Sequence, residues 1–295
     1  MSASTSARPH PTWRLLLGLA AATSLAGWTG CTQANENLHT GRWPLVITAD
    51  HSGDCAQALA LARQQAHPDG LASTFSLLNW NVEKAQNPGL VNQFSEFAQD
   101  TDLIFLQEAV PLRKTDTLIK ESLVQAFVRG YVQDEIETGV LTLARVPHLV
   151  HCHLLSTEPW LRTPKATSVT LYPLADSDDT LLTVNLHAIN FSFGVEAYAA
   201  QLDAAAALIR SHEGPVIFGG DLNTWSAGRQ QTLDQLAAEL QLTPLPFLPD
   251  YRTARFGRAL DHLYVRGLYS ETTETQKVTT SDHNPLFAIL RRAQP

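Results

Sequence analysis

No stretch of this sequence holds 18 consecutive apolar residues, so no ordinary membrane-spanning helix is expected. Lysine is scarce, arginine supplies most of the positive charge, and the formal net charge is −8. That balance excludes a nonspecific polyanion binder held by charge alone. It leaves nucleic acid open as a substrate, because catalytic carboxylates lower the net charge while a local basic rim holds a strand. The three cysteines, Cys31, Cys55 and Cys152, come with no Cys-x-x-Cys or histidine-rich spacing, which excludes the common zinc sites. With Cys31 set aside, the other two are either one disulfide in an oxidising compartment or two buried thiols. There is no internal repeat, low-complexity block or long linker to divide the chain.

What is present is enough apolar content, 44% of 295 residues, to bury the core of one large domain or two small ones. Residues 1–30 have the layout of an export leader: Arg8 and Arg14, a short apolar segment over 15–26, then small residues up to Cys31. Leu25-Ala26-Gly27-Trp28-Thr29-Gly30-Cys31 resembles a lipoprotein box, with Trp28 where an aliphatic residue is usual. Residues 31–70 read as a polar lead-in with one alanine-rich helix over 55–65, capped by Asp54.

From residue 71 to 295 short strands alternate with helices, as one further domain. The apolar spacing predicts strands over 75–79, 103–106, 139–143, 149–155, 167–172, 181–186, 215–218, 260–265, 271–278 and 286–290. It predicts helices over 89–98, 115–128, 195–210 and 229–240. Strands outnumber helices, and hairpin-like neighbours mix with strand–helix–strand crossovers. The pattern points to an α+β chain with two mainly antiparallel sheets packed face to face and helices outside.

Six apolar strands end in polar residues: Leu78-Asn79-Trp80-Asn81, Phe105-Leu106-Gln107-Glu108, Val184-Asn185-Leu186-His187, Gly219-Gly220-Asp221-Leu222-Asn223, Leu260-Asp261-His262 and Ser281-Asp282-His283-Asn284. The ends of strands in one layered domain can converge on one rim. A rim with several carboxylates and few lysines repels itself unless a hard cation joins it, and such oxygen ligands suit Mg²⁺ or Mn²⁺. At Gly219-Gly220-Asp221-Leu222-Asn223 an anion able to activate water sits two residues from a neutral donor. His262 adjoins Asp261 but points to the opposite face of its strand, and His151 and His153 read as an exposed strand face.

These motifs resemble the endonuclease/exonuclease/phosphatase superfamily, metal-dependent phosphoesterases with a DNase I-like four-layer α/β/β/α sandwich, and within it the YafD-type bacterial branch. The likeness runs from about residue 75 to 289 and is particularly specific at VNLHAINFSFGVEAYAAQL and FGRALDHLYVRGL. The resemblance implies that Glu108 is the principal metal ligand, with Asn81 beside it and Asp282 assisting. It implies that Asp221 orients or deprotonates the attacking water, Asn223 binds a phosphoryl oxygen, and His283 stabilises the transition state. His187 matches a histidine that contacts phosphate or assists the leaving group. Asp261 orients either His187 or His283. The tyrosine that many DNA-repair members carry before a Ser-Gly turn is missing from Glu137-Thr138-Gly139-Val140. Lys84 and Arg258 are the residues singled out for a positive substrate rim.

The expected function is hydrolysis of a phosphodiester, in nucleic acid or, alternatively, in a phospholipid or sphingomyelin-type headgroup, with Mg²⁺ or Mn²⁺ as cofactor. A catalytically silent binding module on the same fold is the rival of a different class. No obligate protein partner is implied. The leader points to an exported protein, periplasmic or held at a membrane through a lipid on Cys31, the alternative being a cytoplasmic one.

Overall fold

The computed structural model describes residues 47–49, 52–62, 70–111, 123–133 and 135–293. The export leader and Cys31 lie outside these residues. Two sheets carry the fold. One has seven strands: β1 (Ile47–Ala49), β6 (Val150–Thr157), β7 (Pro164–Pro173), β8 (Thr180–His187), β9 (Val216–Asp221), β10 (Thr243–Pro244) and β13 (Asp261–Arg266), in spatial order β1-β6-β7-β8-β9-β13-β10. The other has six: β2 (Thr74–Asn81), β3 (Leu103–Ala109), β4 (Val124–Gln133), β5 (Ile136–Ala144), β14 (Leu268–Thr275) and β15 (Leu286–Arg292), in order β14-β15-β2-β3-β5-β4. A small hairpin, β11 (Ala254–Arg255) with β12 (Arg258–Ala259), stands apart from both.

Most pairings are antiparallel; β1 runs parallel to β6, and each sheet also holds one parallel pair joined directly through a helix. In the six-stranded sheet β2 crosses to β3 through α2 (Leu90–Ala98). In the seven-stranded sheet β8 crosses to β9 through α3 (Glu196–Arg210). A parallel pair needs such a crossover, and its strands are covered on both faces, which is why β8 is buried throughout and reads as an unbroken apolar run. α2 shows the matching helical signal, with Leu90, Phe94 and Ala98 four residues apart facing the sheet. α1 (Ser52–Ala62) and α4 (Ala227–Glu239) complete the helices, the latter capped by Ser226 Oγ accepting from the Arg229 amide.

Three apolar layers result. Phe75, Phe105, Leu181, Ile217, Leu263 and Leu286 fill the space between the sheets. Leu59, Leu202, Ile209 and Leu233 of α1, α3 and α4 cover the outer face of the seven-stranded sheet. Leu90 and Phe94 of α2 lie over Leu78, Trp80, Ile104 and Leu106 on the other outer face. The chain is the four-layer α/β/β/α sandwich of the DNase I-like fold.

Some expected elements differ. The helix expected over 115–128 is contradicted at its end: Val124–Gln133 is strand β4, an edge strand paired with β5. Ala126 and Val128 are buried in strand alternation, so pairing with β5 decides the conformation over a helical spacing that straddled the element's start. Residues 115–122 lie outside the described part. The lead-in helix starts at Ser52, with Asp54 inside its first turn, and it belongs to the sandwich, not to a separate segment. His151 does not lie on an exposed face. It is buried between the sheets, where its Nε2 is 3.1 Å from Ser168 Oγ and its Nδ1 is 3.1 Å from His153 Nε2.

The open question about the cysteines resolves as a Cys55–Cys152 disulfide, which fastens α1 to β6 across a sequence separation of 97. Closing so long a loop in the unfolded chain is worth about 4–5 kcal/mol in the chain-entropy picture, and native disulfides typically contribute about 2–5 kcal/mol. Reduction, or the Cys55→Ala/Cys152→Ala variant, should therefore lower the guanidinium unfolding midpoint by that order of free energy. An unchanged midpoint on reduction would exclude the bond.

Candidate active site

The two helix-linked parallel pairs, β2–β3 and β8–β9, set the site. Their carboxyl ends deliver Asn81 (β2), Glu108 (β3), His187 (β8) and Asp221 (β9) to one rim of the sandwich, the end at which α/β sheets place ligands. Register adds the remainder: His187 lies opposite Asp221 in the β8–β9 ladder, and Asp261 lies opposite Asp221 in the β9–β13 ladder. His283 comes from the loop before β15. That loop is pinned to the end of β2 by Ser281 Oγ, which donates to Asn81 O (2.7 Å) and accepts from the His283 amide (3.1 Å). Trp80 Nε1 donates to His283 O at 2.8 Å.

Backbone strain concentrates at the same rim. Lys84, Glu108 and Asn223 all have positive φ, a conformation side-chain-bearing residues avoid. Glu108 sits in the register shift between Leu106 and Ala109, where the irregularity re-aims its side chain away from strand alternation. Gly220 has φ +135, and a Cβ there would run into the Leu186 backbone, so the turn into Asp221 requires glycine.

Asp221 is the hub. Its Oδ2 accepts from Asn81 Nδ2 at 3.0 Å and its Oδ1 from the Asn223 amide at 3.1 Å. His187 Nε2 is 3.5 Å and His283 Nε2 is 3.9 Å from Oδ2. Asp261 Oδ2 pairs with His283 Nδ1 at 2.7 Å, which settles which histidine it orients. Burial alone would lower the His283 pKa, but Asp261 and Asp221 outweigh it and raise it to about 10, so this ring is an imidazolium. His187 goes the other way: burial, then the cations Lys165, His283 and Lys84, hold it well below its ordinary value and neutral. Burial, with Asp261 adding to it, pushes Asp221 above the usual carboxylate range, while His283, Lys165 and Asn81 pull it back.

Asp221, Asp261 and His283 bring ligand atoms within 4.8 Å of one another, the grouping among the described residues able to hold an ion. Asp261 Oδ1 is buried without a hydrogen-bond partner, as a coordinating or water-binding oxygen would be. The His283 ring already supplies positive charge between these two carboxylates. Glu108 is instead half-buried, 3.9 Å from His187 Nε2, with Lys84 Nζ 3.3 Å from its Oε2. Burial works against the Lys84 ammonium, but Glu108 and Tyr131 beside it keep it protonated above its ordinary pKa.

Two residues singled out in the sequence make no side-chain hydrogen bond or ion pair with this cluster. The Asp282 side chain is exposed, and its carboxylate makes no hydrogen bond or ion pair with the described residues; the residue reaches Glu83 only through its amide, at 3.2 Å. The bend that turns His283 inward turns its neighbour out. Arg258 lies on β12, and its guanidinium is likewise unbonded to the described residues. Asn223 is at the rim, its Nδ2 donating to Ala188 O at 3.1 Å. His262 faces away from Asp261, as alternation requires, with its Nε2 2.6 Å from Thr224 Oγ1.

Three further residues of the rim were not singled out from the sequence. Lys165, at the start of β7, is buried with Nζ 3.1 Å from His187 Nε2. Glu158, also buried, lies 4.0 Å from Lys165 and accepts from the amides of Asn190 (2.7 Å) and Phe191 (3.0 Å). Tyr131 reaches the Lys84–Glu108 pair from β4, where it stands opposite Thr138; burial and Glu108 raise its pKa. The available signal was an acid and a lysine flanking the β6–β7 turn.

Comparison with known proteins bears on this arrangement. Residues 78–283 match the model of the Endonuclease/Exonuclease/phosphatase family, a span that holds all of these rim residues. A UPF0294 protein of Erwinia tasmaniensis is 37% identical over 219 residues, covering 73% of this chain and 80% of that protein. One of Yersinia pseudotuberculosis is 38% identical over 217 residues, covering 73% and 83%. Among solved structures, the catalytic domain of human Nocturnin with bound sulfate has a TM-score of 0.60 at 14% identity, covering 79% of this chain and 99% of that one. The mannosyl-6-phosphatase of Bacteroides thetaiotaomicron has a TM-score of 0.55 at 16% identity, covering 73% and 99%. These last two share the fold. The family model and the close relatives together place the chain in the endonuclease/exonuclease/phosphatase family.

Proposed function

We propose that this protein hydrolyses a phosphodiester by in-line attack of a water that Asp221 activates, with a divalent cation at the same rim. The observation that carries the reading is the convergence of both histidines and both carboxylates on one rim: His283 Nδ1 is 2.7 Å from Asp261 Oδ2, and His187 Nε2 is 3.5 Å from Asp221 Oδ2 and 3.1 Å from Lys165 Nζ. A phosphodiester anion resists an anionic nucleophile, so a catalyst neutralises charge before it delivers hydroxide. His283 and Lys165 supply fixed positive charge on either side of Asp221. Asp221, raised toward neutrality by burial, takes the proton of the attacking water. Asn81 and the Asn223 amide hold the carboxylate in line. His187 stands between Asp221, Glu108 and Lys165, placed to contact a phosphoryl oxygen or to assist the leaving oxygen.

Glu108, with the amide oxygen of Asn81, offers hard oxygen donors that suit Mg²⁺ or Mn²⁺; such an ion would draw charge from a phosphoryl oxygen. Export to an oxidising compartment accords with the Cys55–Cys152 disulfide and the leader-like segment, and lipidation of Cys31 would hold the protein at a membrane.

Three outcomes test the site. With bis(p-nitrophenyl) phosphate, Asp221→Asn should lower kcat by roughly 10²–10⁴-fold and leave KM within a few-fold. Turnover equal to the parent would reject Asp221 as the base. Chelation by EDTA should abolish activity and Mg²⁺ or Mn²⁺ restore it, and Glu108→Gln should raise the ion concentration needed for half-maximal rate. Restoration curves that superimpose would remove Glu108 from the ion's ligands. The third concerns pH. Asp261 raises the His283 pKa, so the imidazolium persists until pH climbs toward about 10. In Asp261→Asn the alkaline limb of kcat/KM should move to lower pH; a limb that stays in place contradicts the pairing.

A further inference from the structure

Every exposed Phe or Trp among the described residues lies on loops at the site end of the seven-stranded sheet. Trp160 (56% exposed) and Leu161 (58%) are in the β6–β7 turn, Phe191 (54%) and Phe193 (78%) follow β8, and Phe256 (88%) tips the β11–β12 hairpin. Trp225, after β9, bridges the last two groups. The arc is continuous by contact: Trp160 and Phe193 rings are 4.0 Å apart between centroids, Trp225 and Phe256 6.3 Å, and Trp225 Nε1 donates to Asn190 Oδ1 at 3.0 Å.

These tips are held outward by buried charges. Glu158 ties the β6–β7 turn to the next loop, accepting from Thr163 Oγ1 (2.8 Å) and from the Asn190 and Phe191 amides. Arg229, buried on α4, donates to Asn190 O (2.9 Å), Asn223 O (3.2 Å), Ser192 Oγ (3.0 Å) and the Ile189 carbonyl. Burying an arginine and a glutamate is costly unless their bonds are used, and here the bonds fix apolar side chains in water. The anchors are also the wall of the site: Glu158 is beside Lys165, which touches His187, and Arg229 holds the carbonyl of Asn223.

We propose that this arc docks the protein onto the interfacial zone of a lipid bilayer, presenting headgroup phosphodiesters to the site. The inference rests on the phosphodiesterase reading for its purpose, though not for the docking itself. Three observations favour lipid over stacked nucleobases. Trp160 and Phe193 meet edge to face at 64°, so they offer no parallel platform. One face of Trp225 is covered by the Arg229 guanidinium, 4.6 Å from the ring centroid. Leu161 has no π face to stack. Trp and Phe tips on rigid loops are the side chains that partition to a bilayer interface. With a net charge of −8, general attraction to an anionic surface is absent, so attachment is apolar and tolerant of salt.

The test uses the full chain in a Cys31→Ala background, which removes the acylation site from both proteins compared. Sedimentation with phosphatidylcholine vesicles at low and high salt is measured for this protein and for the same chain carrying Phe193→Ser and Phe256→Ser. Hydrolysis of bis(p-nitrophenyl) phosphate is measured alongside. The expected result is vesicle affinity lower by roughly tenfold or more in the double variant, at both salt concentrations, with turnover of the soluble diester unchanged. Equal vesicle affinity of the two proteins overturns the proposal. So does a loss confined to oligonucleotide affinity, which would make the arc a base platform. A dimer seen by analytical ultracentrifugation that the double variant abolishes, with equal vesicle affinity, would assign the arc to self-association and overturn it as well. If neither protein cleaves the soluble diester while vesicle affinity falls as expected, docking stands and the catalytic reading fails.

Discussion

Two buried carboxylates share one imidazolium at the centre of this protein. Asp221 and Asp261 face each other across the β9–β13 ladder, both nearly inaccessible to solvent. Two such anions are costly to bury side by side unless a cation pairs with them. His283 stands between them, with one ring nitrogen 2.7 Å from Asp261 and the other 3.9 Å from Asp221. The rest follows from keeping that ring in place. Trp80, Ser281 and the end of β2 clamp the loop that carries it, so a residue from the six-stranded sheet completes a charge cluster on the seven-stranded one. The contact between the sheets is therefore chemical as well as apolar.

The same constraint explains why one histidine is charged and the other is not. His187 is buried as deeply as His283, but its neighbours include the Lys165 ammonium as well as carboxylates, and the cations add to the effect of burial. Burial and neighbouring charge thus push two identical side chains a few ångströms apart in opposite directions, one toward the charged form and one toward the neutral ring. Both depend on backbone that the chain adopts reluctantly. Glu108 and Asn223 in left-handed conformations, and Gly220 where no side chain fits, lie within or next to the turns that end the parallel strands.

How much of this could be read beforehand differs by residue, for physical reasons. Strand ends such as Phe105-Leu106-Gln107-Glu108 were legible because a strand covered on both faces is apolar until it leaves the core, so the first polar residues mark the rim. The choice between His187 and His283 as the partner of Asp261 was not, since it depends on where a loop from one sheet lands on the other. Lys165 was hidden for a related reason. Only the antiparallel register of β7 against β8 brings its stem inward toward His187, which no local sequence pattern reveals. Tyr131 came from a segment read partly as helix, where the apolar spacing crossed from undescribed residues into β4. Asp282 shows the converse limit: a motif places the residue at the rim, but side-chain direction is set by the turn, and here the carboxylate faces solvent.

Glu158 and Arg229 connect the rim side chains to the apolar arc beside them, and this shared support has a mechanical consequence. Each charge is buried because its bonds reach both ways, Glu158 to Lys165 and to the amides of Asn190 and Phe191, Arg229 to the carbonyls of Asn190 and Asn223. A loop fixed only by its own turn chemistry would let Phe191 and Phe193 fold back onto the surface, which the hydrophobic effect favours in water. Fixing it through groups that also position His187 and Asn223 makes that collapse disturb the site. Apolar exposure at this rim is maintained against its own cost by the bonds that hold the reacting groups, so whatever surface meets the arc meets it in register with Asp221.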